Sequence, residues 1–286
     1  MCGIIGYIGN RQASPLLLSG IKRLEYRGYD SVGMATQDNN CICAKKDIGE
    51  VSVAQKKINF LNLPGTMGIC HTRWATHGGV TQVNAHPHHS KNKTIVAIHN
   101  GVIENYEELR KNLESKGYEF VSQTDTEVVP HYIEDKLRSK YSVSSAIESF
   151  INEARGTFAI LFMVAGDHRI YALRRDSPLV LGIGKAEYFI GSDIYAFSDK
   201  TNKAIFFDDD EWAEISSSGY RFFKAGQEVK KEIKEFVWEE QKEDKKKYDH
   251  FMMKEIMEEP KVARRLLLSI ETDQKAQFHK LIDLIK

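Results

Sequence analysis

From its third residue the chain runs apolar and is punctuated by glycine, Gly3-Ile4-Ile5-Gly6-Tyr7-Ile8-Gly9. Such a run predicts a strand with close neighbours on at least one side. Ser14-Pro15 then reads as a helix start, with Leu16, Leu17, Ile21 and Leu24 at helical spacing up to the turn at Arg27-Gly28. Further strands are expected at Ser31 to Ala35, Cys41 to Ala44, Thr66 to His71 and Thr94 to His99, with an amphipathic helix from Tyr106 to Lys116. Thr126 to Glu153 is patterned as helix with a break near Ser139-Lys140. Strand patterns then occupy Phe158 to Val164, Ile170 to Leu173, Leu179 to Ile183, Tyr188 to Ser192 and Ala204 to Phe207. Strands and helices mixed without regular βαβ alternation predict a layered α+β domain rather than a doubly wound α/β sheet. No period of 20–50 residues repeats, which argues against a solenoid.

The pattern changes after Gln227. Lys230 to Lys247 is almost wholly charged, broken only by Ile233, Phe236, Val237 and Trp238, and cannot bury a core of its own. Helical spacing resumes at His250 to Glu258, where Pro260 is expected to interrupt it, and returns over Val262 to Ile270 and Phe278 to Ile285. The expected organisation is one domain over residues 1–240 and a charged helical connector over 241–286.

Composition narrows the function. In 286 residues, 40 Lys+Arg balance 40 Asp+Glu, so no net charge draws the chain to nucleic acid or to an anionic membrane. No stretch reaches the ~20 apolar residues a membrane helix needs, and the N-terminus lacks a signal-peptide pattern. The cytosol is the expected compartment. All four cysteines, Cys2, Cys41, Cys43 and Cys70, fall in the first quarter of the chain, which excludes a disulfide framework for the whole fold.

Cys2 carries the strongest chemical signal. Removal of Met1 would leave one residue bearing a thiol and a free α-amine titrating near ~7.7–8.0, a nucleophile with its own base. In His71-Thr72-Arg73-Trp74-Ala75-Thr76-His77-Gly78, which follows a strand, Arg73 has the fork geometry to hold a substrate carboxylate. Asn100-Gly101 reads first as a hairpin turn, yet a side-chain amide beside a glycine N–H is also how two donors converge on an oxyanion. Thr124 or Asp125 reads as a helix N-cap, or Asp125 as the partner of a substrate ammonium. His77, His86, His88 and His89 lack metal-ligand spacing, and Cys41-x-Cys43 sits where a strand would alternate, so a zinc-binding module is a weak reading. Gly182-Ile183-Gly184-Lys185 reads as a turn, and Asp208-Asp209-Asp210-Glu211 as a solvated one with at most a weak cation site.

Taken together and in order, Met1 to Gly6, Leu24-Glu25-Tyr26-Arg27-Gly28-Tyr29-Asp30-Ser31, His71 to Gly78, Asn84-Ala85-His86-Pro87, His99-Asn100-Gly101 and Thr124 to Val128 closely resemble the glutaminase domain of the glutamine:fructose-6-phosphate amidotransferase family. The resemblance extends into the connector, where Lys254-Glu255-Ile256 and Glu258-Glu259-Pro260 are similar to the family's Lys-Glu-Ile-x-Glu-Gln-Pro, with Glu259 in place of Gln. It implies a four-layer αββα N-terminal-nucleophile fold that hydrolyses L-glutamine to glutamate and ammonia without cofactor or metal. It further implies Cys2 as nucleophile, Asn100 and Gly101 as the oxyanion hole, Arg73 on the α-carboxylate and Asp125 on the α-ammonium. Thr76 and His77 would shape the loop over glutamine, Trp74 would gate an ammonia path, and Arg27 would lie on a loop closing the site. By the same resemblance Asn100-Gly101 is catalytic rather than a hairpin. The family continues into two sugar-phosphate isomerase modules that bind fructose 6-phosphate. Residues 261–286 cannot supply them, so the expected partner is an isomerase half in trans or outside this sequence, with a homo-oligomer left open. The competing readings are a glutamine-sensing subunit without turnover and a stand-alone glutaminase feeding another synthase.

Overall fold

The computed structural model describes residues 2–236 and 247–285. Most of the charged run Lys230–Lys247, with Val237 and Trp238, and the boundary expected at residue 240 lie outside the described residues. The chain divides into two compact units, Met1–Glu239 and Glu240–Lys286.

The first unit is built on two antiparallel sheets. One has eight strands in the order β15 (Lys234–Glu235), β11 (Lys203–Phe206), β9 (Val180–Ile183), β10 (Tyr188–Gly191), β1 (Gly3–Ile8), β4 (Met67–Arg73), β2 (Ser31–Asp38) and β3 (Cys41–Ile48). The other has seven, β14 (Gln227–Val229), β13 (Gly219–Lys224), β12 (Glu211–Ser216), β8 (Ile170–Arg175), β7 (Gly156–Val164), β6 (Ile95–Ile103) and β5 (His88–His89). Helices α1 (Ala13–Arg23) and α2 (Val51–Ile58) cover the first sheet, and α3 (Tyr106–Ser115), α4 (Val128–Arg138) and α5 (Val143–Glu153) cover the second.

The layering follows from the two-residue period of the strands. In β1, Ile4 and Ile8 join Val96, Ile98, Leu161 and Ala172 in the core between the sheets, while Ile5 and Tyr7 point to α1 and meet Leu17 and Ile21. In β7, Leu161 and Met163 face the first sheet, whereas Phe158, Ile160 and Phe162 face Ile133, Ile147 and Phe150 of the outer helices. Strands buried on both faces have no polar side to show, hence their unbroken apolar runs. The four-layer αββα arrangement stands as expected.

Several local expectations are corrected. Asn100-Gly101 makes no hairpin. Both residues lie inside β6, opposite Ala159 and Phe158 of β7. Neither Thr124 nor Asp125 caps a helix with its side chain, because the Asp125 carboxylate accepts the Ile103 N–H at 2.8 Å instead. Ser14 does not cap α1 either, since its hydroxyl turns to the Leu63 carbonyl at 2.9 Å. The acidic run 208–211 is a solvated turn as expected, with Asp208, Asp209 and Asp210 open to water, but it is also braced. Lys231 bonds Asp208 and the buried Glu211, and Arg174 and Arg175 pair with Asp209 and Asp210. In the second unit, α6 (Phe251–Glu271) runs straight through Pro260 and is followed by α7 (Lys275–Ile285). Its flanks are largely exposed, so water can satisfy the carbonyl that a proline leaves without a donor. Among the described residues no helix is long and apolar enough to cross a membrane.

Candidate active site

The site forms where β1 begins. Its first ladder pair, Gly3 with Thr72, brings Cys2 alongside the end of β4. There the Trp74 N–H donates to the Cys2 Sγ at 3.2 Å, and Sγ lies 3.5 Å from the Trp74 carbonyl. The Cys2 carbonyl is gripped from two sides, by Arg27 Nε at 3.0 Å and by Asn100 Nδ2 at 3.0 Å. Burial pushes the Cys2 thiol up, against the smaller pull of the Trp74 N–H. At neutral pH it rests as a thiol, and a nucleophile in that state needs a base beside it.

The segment from Arg27 to Asp30 shapes both sides of this cleft. Arg27 pairs with Asp193 at 3.4 Å while holding the Cys2 carbonyl. Gly28 packs so closely on β4 that a Cβ there would sit 2.7 Å from the Trp74 nitrogen. Asp30 takes the Ala75 N–H on its carboxylate at 2.8 Å and donates its own N–H to the Arg73 carbonyl at 3.0 Å. This strut fixes the start of the loop after β4. Asp30 was not singled out from the sequence, although it lies in the Leu24–Ser31 motif, because its partner is 45 residues away.

Arg73 is buried, and its guanidinium is turned onto the 77–79 loop, where it donates to the carbonyls of His77 and Gly79, the latter at 3.2 Å. Burial lowers its proton affinity, and the charges of Asp125 and Asp30, joined by Cys2 when it ionises, pull it back. Those three groups therefore share its field. The Asp125 carboxylate is buried, with its Oδ2 3.8 Å from His99 Nδ1. Gly101 adopts φ +121°, and an added Cβ would stand 2.2 Å from the Thr157 carbonyl, so only glycine fits beside Asn100. The Trp74 ring meets Tyr29 edge-on at 6.0 Å, and the His77 ring meets Tyr106 at 5.9 Å. Thr76 is exposed on the loop. The structure thus gathers Cys2, Arg27, Trp74 and Asn100 through direct bonds, sets Arg73, Gly101 and Asp125 around them, and leaves Thr76 and His77 on the covering loop.

Of the histidines considered for zinc, His86 and His88 join His71 and His99 in a packed core behind the cleft, whereas His77 lies on the covering loop. His86 Nε2 lies 2.8 Å from Thr126 Oγ1, His99 Nδ1 3.0 Å from the same oxygen, and His88 Nε2 3.1 Å from Thr124 Oγ1. The His71 and His86 rings pack tilted at 34°, with centroids 4.1 Å apart. Among the described residues no group of three or more His, Cys, Asp or Glu is placed to hold a metal.

Cys2 thus sits at the edge of the αββα sandwich, faced by a buried arginine and carboxylate, and residues 71–199 match the glutamine amidotransferase domain family. The chain therefore carries a glutamine amidotransferase domain. It is similar over nearly its whole length to glutamine--fructose-6-phosphate aminotransferases (isomerizing). That of Pyrococcus horikoshii is 47% identical over 267 residues, which is 92% of this chain and 45% of the relative. That of Thermococcus kodakarensis is 41% identical over 291 residues, 99% of this chain and 48% of the relative. The chain therefore spans about half the length of these curated relatives. The fold is shared with glutamine phosphoribosylpyrophosphate amidotransferase of B. subtilis, with a TM-score of 0.69 at 23% identity over 78% of this chain and 49% of that one.

Proposed function

We propose that the chain hydrolyses L-glutamine through Cys2 and that the ammonia serves the amination of fructose 6-phosphate by a sugar-isomerase half. The observation that carries the reading is the convergence of Trp74, Arg27 and Asn100 on Cys2. With Met1 removed, the Cys2 α-amine takes the thiol proton and the sulfur attacks the carboxamide carbon. The resulting oxyanion is held by Asn100 Nδ2 and the Gly101 N–H. The amine then returns its proton to the departing nitrogen, ammonia leaves, and water attacks the thioester to release glutamate and regenerate the thiol. Arg73, freed from the 77–79 carbonyls, binds the α-carboxylate, and Asp125 binds the α-ammonium. Thr76 and His77 cover the substrate, Trp74 borders the route by which ammonia leaves, and Arg27 closes the opposite wall.

Residues 1–240 act as the glutaminase domain and 241–286 as the connector toward the isomerase half, in the cytoplasm. The 45–48% coverage of relatives named for that amination supports this part of the reading. The test is glutamate release from glutamine by protein whose intact mass lacks Met1. Cys2→Ala should abolish it, and Asn100→Ala should lower kcat by about 10²–10³. Turnover that survives Cys2→Ala would overturn the proposal.

A further inference from the structure

One buried ring stands behind the oxyanion donor and takes no part in the scheme above. In β4, Met67 and Ile69 face the core between the sheets and Cys70 faces the helices. The same alternation carries His71 to the inter-sheet side, where it reaches across to β6. Its Nε2 lies 3.0 Å from the His99 carbonyl and 3.0 Å from Asn100 Oδ1.

This geometry settles a tautomer and an orientation together. A main-chain carbonyl can only accept, so His71 Nε2 must carry the proton. The Asn100 atom at the same nitrogen must then be the oxygen, which leaves Nδ2 on the opposite side, 3.0 Å from the Cys2 carbonyl. A flipped amide would press NH2 against N–H and turn its oxygen toward the site. Among the described residues His71 Nδ1 is buried without a hydrogen-bond partner, as suits a nitrogen bearing no proton. Burial holds the ring neutral, with its pKa down to about 3, so the single N–H persists across the working range. The His86 ring, tied to Thr126, packs tilted against His71 at 4.1 Å and hinders its rotation.

We propose that His71 is a positioning residue that locks the Asn100 side chain with its amide nitrogen toward Cys2, presetting the oxyanion donor. The proposal rests on Asn100 acting as that donor. Preset donors cost no reorganisation as charge develops, so loss of the lock falls on kcat rather than on substrate binding.

The test is a double-mutant cycle of His71→Phe with Asn100→Ala in the full, Met1-processed chain, read as kcat and KM for glutamate release. His71→Phe alone should lower kcat about 10- to 100-fold with KM within about threefold. His71→Gln, whose amide N–H can occupy the Nε2 position, should recover most of that loss. In the Asn100→Ala background His71→Phe should cost less than about threefold, because there is no amide left to orient. Equal losses in both backgrounds, or a wild-type kcat for His71→Phe, would overturn the assignment. If the Phe variant does not fold, His71→Asn, too short to place a donor at Nε2, takes its place in the cycle under the same criteria. An unchanged kcat for Asn100→Ala alone would sink the parent reading instead, which keeps the two failures distinct.

Discussion

Acidification is the perturbation that most directly probes the histidine core. His71, His86, His88, His89 and His99 are all held below the ordinary imidazole value of 6.5 by burial, His71 down to about 3 and His89 to about 4. The neighbouring charges of Arg73 and Lys46 reinforce the shift, while Asp125 and Glu127 oppose it. Between pH 7 and 5 the unfolded chain binds protons at these sites that the folded chain refuses. The stability they contribute is fully present above about 6.5 and is lost as pH falls toward their folded values. Over that interval His71 and His89 each take away about 2 kcal/mol, about 4 kcal/mol together. That is a large share of the 5–15 kcal/mol typical of a domain. Two other shifted groups titrate outside the window: Glu127, lowered to about 2, acts below 4.5, and Lys46, lowered to about 8, acts above it. Urea midpoints followed by circular dichroism from pH 7.5 to 5.0 should fall steeply, and His89→Gln should flatten the slope by one histidine's share. A midpoint that stays level to pH 5 would refute the reasoning.

Two other outcomes follow from the geometry. Gly101→Ala places a Cβ 2.2 Å from the Thr157 carbonyl at φ +121°, so β6 must move off β7 beside Asn100. Glutamate release should fall more than tenfold and stability by about 1–3 kcal/mol, and near-wild-type values in both assays would refute the steric argument. Lys46 donates to the carbonyls of Val83, Ala85 and Pro87 at 3.1, 2.6 and 3.1 Å. Lys46→Met should cost about 1.5–3 kcal/mol and raise proteolytic cleavage within residues 80–88, whereas unchanged cleavage would show that the cage does not hold this segment.

The sandwich was legible in the sequence where burial is symmetrical. β1 and β7 stand out because both of their faces are covered. Elements with one wet face were harder to see. Only Val51 and Ala54 of α2 are buried, too few to mark a helix, and it escaped notice. The β12–β13 hairpin was missed although Glu-Trp-Ala-Glu-Ile-Ser alternates, because the acidic run before it read as a solvated corner. Pro260 misled because proline's cost in a helix assumes a carbonyl with no other partner, and an exposed helix offers water. For the site, motifs supplied the residue types that touch Cys2. They could not show Asp30 reaching Ala75 or His71 orienting Asn100, since those bonds join residues 45 and 29 positions apart.

β1 lies between β10 and β4, well inside its sheet, and every residue from Gly3 to Ile8 is buried. Cys2 leads directly into this strand, so its aim is set by the whole sandwich rather than by a local loop. Loosening either distant edge of the fold would leave that aim intact, whereas lengthening the chain by a single residue within β1 would turn every following side chain to the opposite layer.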